Sequence, residues 1–128
     1  MSTREEIFQR YVYAGALSRD PDALAALFTE DGVYEAPLAG PGDPFPRRLA
    51  GRAAIRAGMA TAYARMPAAD DDPVDPIRTS FTLHATADPD VFVAEIDTTL
   101  MSDTSMSLVQ IFRVRDGLIS HLRDYFRQ

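Results

Sequence analysis

Cysteine is absent from the 128 residues, which excludes disulfides, thiolate nucleophiles and any cysteine-held metal or cluster. Lysine is absent too: all thirteen basic residues are arginine, so Schiff-base chemistry through a lysine amine is out. The two histidines, His84 and His121, are too few for a His-rich metal site. No cofactor or metal is expected. No apolar run approaches the roughly 18–20 residues of a membrane helix, and the polar opening does not read as a secretion signal, so the expectation is a soluble, cytoplasmic protein. Nineteen acidic residues outnumber the basic ones and give a net charge of −6. Such a surface repels phosphate backbones, and no basic stripe interleaves with aromatics; nucleic acid is not an expected partner.

What is present fits one domain spanning residues 1–128, with 46% hydrophobic residues and length enough for a core without metal or disulfide staples. Ser2 and Thr3 each stand three residues before a glutamate, so either can open a capping box. Ile7, Tyr11, Ala14 and Leu17 then recur at helical spacing. Asp20-Pro21 caps and opens a short second helix, which Asp31-Gly32 ends. Val33–Ala36 reads as a strand. Four prolines between residues 37 and 48 forbid a central strand there. A third helix runs from about Arg52 to Met66, with Ile55, Met59 and Tyr63 four residues apart. The following acidic loop holds Asp70, Asp71, Asp72 and Asp75 but lacks the alternating ligands and central glycine of a calcium loop, so it reads as a solvated turn.

The second half changes period. Residues 78–85, 91–101, 105–115 and 118–126 read as strands separated by turn residues. Helices followed by strands imply an α+β fold, with the helices packed on one face of an antiparallel sheet. Met106–Val114 is apolar on both faces, which predicts that the outer face is covered as well, most simply by a second copy in a homodimer.

Three stretches in this order resemble the SnoaL-like branch of the nuclear transport factor 2-like superfamily. They are Leu27-Phe28-Thr29-Glu30-Asp31-Gly32-Val33-Tyr34-Glu35, Gly51-Arg52-Ala53-Ala54-Ile55-Arg56, and Ile111–Ile119 running into Leu122-Arg123-Asp124-Tyr125-Phe126. The resemblance implies a cone-shaped α+β barrel: three N-terminal helices on a strongly curved antiparallel sheet, with an interior pocket for a small apolar molecule. It also implies three enzyme types to compare. In the polyketide cyclases, the acid/base aspartate of an Arg-Asp-aromatic motif corresponds to Asp124, and a cavity histidine corresponds to Gln110. In the limonene-type epoxide hydrolases, two aspartates and a water-holding tyrosine correspond to Asp97, Asp124 and Tyr34, while Glu95 stands in place of the arginine and Ala36 in place of the asparagine. In the ketosteroid isomerases the oxyanion tyrosine corresponds to Tyr11, but Ala36 occupies the place of the general base.

The residues support a similar reading. Alternation puts Ser120, Leu122, Asp124 and Phe126 on one apolar strand face, where a desolvated carboxyl group is pushed toward acid/base use. Asp97 shares a face with Val91, Val93 and Glu95; in one cavity with Asp124 it would keep one of the two carboxyls protonated. The expected catalytic pair is Asp124 and Asp97, with Tyr11, Tyr34 and Gln110 contacting the substrate. The function expected is cofactor-free cyclisation or isomerisation of a polyketide-like compound. Water addition to an epoxide and ligand binding without catalysis are the alternatives.

Overall fold

A computed structural model describes residues 3–67 and 71–127. Helix α1 covers Arg4–Val12 and continues through a π-helical turn, Tyr13–Leu17; α2 is Pro21–Ala26 and α3 is Arg52–Arg65. The strands are β1 Phe28–Glu35, β2 Arg48–Ala50, β3 Ser80–Ala85, β4 Val91–Thr99, β5 Ser105–Arg115 and β6 Leu118–Tyr125. Three helices pack on one six-stranded sheet of order β2-β1-β6-β5-β4-β3, a cone-like α+β arrangement. Among the described residues no helix is long and apolar enough to cross a membrane.

Local chemistry explains the helix starts. Thr3 accepts from the Glu6 amide while the Glu6 carboxylate accepts from the Thr3 amide, closing the capping box. Asp20 accepts from the amides of Asp22 and Ala23, with Pro21 in the first turn of α2. The π turn disrupts the stripe that the spacing predicts. One extra residue in the turn rotates the end of the helix, so Ile7, Tyr11 and Ala14 are buried but Leu17 is 56% exposed.

The sheet departs from expectation in three ways. It is mixed, because β1 runs parallel to β6. Asp31-Gly32 does not end α2, which stops at Ala26; it lies inside β1, where the register against β6 slips between Phe28 and Val33. Gly32 permits this slip, since a Cβ there would stand 3.0 Å from the Thr29 carbonyl and 3.1 Å from that of Ile119. Third, the proline loop ends in β2, a short edge strand against β1. In the acidic loop, Asp72 accepts from Ser102 and Asp75 from Arg78; Asp70 lies outside the described residues.

The core fills the space between the helices and the inner sheet face. Phe112 is its hub, stacked on Phe92 at 4.7 Å and met edge-on by Phe8 and Tyr11. Leu122, its cross-strand partner on β6, is fully buried. Urea unfolding should therefore show Leu122→Ala costing about 2–5 kcal/mol and Leu17→Ala less than about 0.5 kcal/mol. Similar losses for both would mean that the apolar stripe continues through the π turn.

Candidate functional site

Two strand registers assemble the site. Gln110 on β5 pairs with Asp124 on β6, and Phe112 pairs with Leu122. Paired residues share a face, so the buried Phe112 and Leu122 fix the inner face as that of Gln110 and Asp124. On the other side of β6, Tyr34 of β1 lies opposite Leu122 and is fully enclosed. A bulge at Ser120 restores the pattern further down: Arg113 pairs with His121 but Val114 with Ile119, which brings Ile119 back into the core.

Asp124 is 7% exposed and held by two neutral donors. The Tyr34 hydroxyl donates to Oδ2 at 3.1 Å, and the Gln110 amide Nε2 donates to Oδ1 at 3.3 Å. Gln110 is itself 5% exposed, and its Oε1 accepts from no donor among the described residues. Arg113, a conceivable counter-ion, stands opposite His121 on the other face of β5 and is exposed. Burial therefore dominates: it raises the Asp124 carboxyl from 3.8 to about 7, against the opposing pull of the bonds from Tyr34 and Gln110.

Tyr11 and Tyr34 are pushed well above 10 by burial and by the negative field of Asp124. Tyr63 of α3 also senses that field. Burial lifts it to about 12, with Arg19 pulling down and Asp124 adding to the rise. Its hydroxyl would lie 3.5 Å from a Cβ at Gly15, in the π turn. Phe45, in the proline loop, meets Tyr63 and Phe126 edge-on at 6.3 and 5.6 Å, so this loop closes the site beside α3. Tyr63 and Phe45 were not among the expected site residues. The four-residue spacing of Ile55, Met59 and Tyr63 was the available signal for the first; no pattern pointed to Phe45.

Asp97 is not brought to this cluster. Phe92, Ala94 and Ile96 take the inner face of β4, and Ala94 is the partner of Gln110. Asp97, three residues on from Ala94, faces outward, is exposed, and accepts from the Ser107 hydroxyl at 2.6 Å. The two aspartates of the expected pair thus lie on opposite faces of the sheet. Glu95 also faces outward and pairs with His84. His121 meets Glu35, with Arg123 alongside, on the same outer face. Two surface clefts of about 370 and 740 Å³ flank the helices, and none of their lining residues belongs to the Asp124 cluster.

The arrangement offers a carboxyl group that is half-ionised near neutrality, in an aromatic enclosure whose other polar groups stay neutral. It can give or take one proton. The model of the SnoaL-like domain matches residues 8–122. The chain is similar to a Bacillus subtilis protein provisionally described as an isomerase, with 26% identity, 95% of this chain and 84% of that one covered, and a TM-score of 0.69. It is also similar to an NTF2-like protein of unknown function from Mesorhizobium loti, at 28% identity, covering 97% and 90%, with a TM-score of 0.56. A phenazine biosynthesis-related protein from Pseudomonas aeruginosa shares the fold at 15% identity, covering 99% and 81%, with a TM-score of 0.61. No curated protein matches the chain.

The raised carboxyl has a consequence for stability. Between pH 3.8 and about 7 the folded chain keeps a proton that the unfolded chain has released, so stability falls as pH rises across this window and levels off above it. The limiting size is on the order of 4 kcal/mol. In Asp124→Asn this part of the pH slope should vanish, leaving the variant gaining on the native chain between pH 4 and pH 8 in urea unfolding. An unchanged slope would show that Asp124 ionises normally.

Proposed function

This chain belongs to the SnoaL-like domain family, and from that premise we propose that Asp124 transfers a proton on a small, largely apolar carbonyl compound held beneath the helices. The family and fold make it a small-molecule isomerase-type or ligand-binding domain. The observation that carries the catalytic reading is the buried Asp124 carboxyl, bonded only to the neutral donors Tyr34 and Gln110 among the described residues.

In this mechanism the ionised Asp124 removes a proton from the carbon beside a carbonyl group, and the C–H electron pair moves onto the carbonyl oxygen. Tyr11, which stays protonated, offers its hydroxyl to that oxygen as charge develops. Where the carbonyl compound is β,γ-unsaturated, return of the proton at the far end of the dienolate moves the double bond; where the enolate carbon instead attacks a second carbonyl and closes a ring, Asp124 returns its proton to the alkoxide so formed. Tyr34 and Gln110 orient the carboxyl group. No step uses a cofactor. Water activation by two aspartates is not part of the reading, because Asp97 lies on the other face.

The test is α-proton exchange of α-tetralone and 1-indanone in D2O, followed by proton NMR. The native chain should accelerate exchange, with a rate that rises through pH 7, and Asp124→Asn should lose about 10²-fold or more. No acceleration by the native chain, or the same rate in the variant, removes proton transfer and leaves ligand binding.

We also propose a homodimer through the outer sheet face. Val93, Val109 and Ile111 project there by alternation, and Val109 is 38% exposed, an apolar strip on an otherwise wet face. Sedimentation should give twice the chain mass of 14.1 kDa, and Val109→Arg should give the monomer. A native chain that sediments as a monomer would defeat this assignment.

A further inference from the structure

The Gln110 amide is half used. Its Nε2 is committed to Asp124 Oδ1, while its Oε1 is buried and takes no hydrogen bond from any described residue. A buried acceptor left unpaired is costly, and native interiors contain few of them. The Tyr34 hydroxyl is spent on Asp124 Oδ2. With Asp124 ionised, the form that takes a proton, the amide cannot turn over, because its oxygen would then face the carboxylate. Its orientation is set by Asp124, so the group left over is an acceptor and not a donor.

From this we infer that the compound bound at the Asp124 site carries a hydroxyl group that donates to Gln110 Oε1, making it a hydroxy carbonyl compound and not a plain ketone. The inference deepens the proton-transfer reading and rests on it for the carbonyl half. Oε1 and the Asp124 carboxylate are one amide and one hydrogen bond apart. That separation suits a hydroxyl on, or one carbon away from, the carbon whose proton Asp124 takes. Asp124 keeps its own two donors, so the ligand hydroxyl competes with neither. The selectivity comes from the same asymmetry: a site with a buried acceptor rejects an isostere that lacks the donor more strongly than a purely apolar pocket does.

Three probes separate the possibilities: α-hydroxyacetophenone, its O-methyl ether, and acetophenone. Binding is measured by isothermal titration calorimetry on the whole native chain and on Gln110→Met. The native chain should bind the hydroxy ketone about tenfold more tightly than either analogue, and Gln110→Met should bring the three within about twofold. Equal affinities in the native chain would mean that water alone serves Oε1, and would overturn the inference. Binding of none of the three, or a preference that survives in Gln110→Met, overturns it as well. Should Gln110→Met fail to fold, the ranking in the native chain decides. A hydroxyl preference without α-proton exchange would keep this inference and remove catalysis; exchange without the preference would do the reverse.

Discussion

Pairing Gln110 with Asp124 across β5 and β6 places an amide and a carboxyl group side by side on the face that the helices cover. Keeping that pair dry is the constraint on which the other features of the site depend. A slip of one residue in this register would turn Asp124 outward and bring Arg123 in. The slip is blocked on both sides, since Phe112 and Leu122 are locked in the core and the Ser120 bulge ends the regular ladder where Ile119 must return inward. The carboxyl group is thus forced into an apolar enclosure by residues that gain more from burial than its desolvation costs.

The remaining pieces bring donors to that carboxyl group without bringing charge. Parallel pairing of β1 with β6 carries Tyr34 into reach of Oδ2, and the slip at Gly32 makes room for it by letting β1 start at Phe28 before the ladder resumes at Val33. The π turn keeps Gly15 against α3 where the Tyr63 hydroxyl comes close. The arginines stay outside: Arg113 and Arg123 lie on the outer face, and Arg52 is bonded to the Phe28 carbonyl. With a guanidinium beside it, Asp124 would be held ionised. With none, it sits near 7.

Much of this was legible in the chain. Leu122 and Phe126 flank Asp124 at period two, which places it inward with no further information, and Gln110 stands between apolar residues of the same parity. Asp97 was not legible, because β4 is apolar on both faces. Val91 and Val93 argue for one face as strongly as Phe92 and Ala94 argue for the other, and only pairing with β5 breaks the tie. The irregularity in β1 and the π turn in the first helix were also hidden. Both depend on tertiary contacts of small residues, Gly32 under the Ile119 carbonyl and Gly15 under Tyr63, that no local propensity encodes.

The carboxylates of the sheet show how far position, and not residue type, sets the chemistry. Glu35 and Glu95 face outward and meet histidines; Asp97 faces outward and meets a serine hydroxyl. Asp124 faces inward and meets a phenol and an amide. Within its enclosure the three tyrosines are pushed upward, away from neutrality, and glutamine carries no proton to give. Asp124 is therefore the one group of the cluster whose charge changes near pH 7, with neutral donors arranged around it.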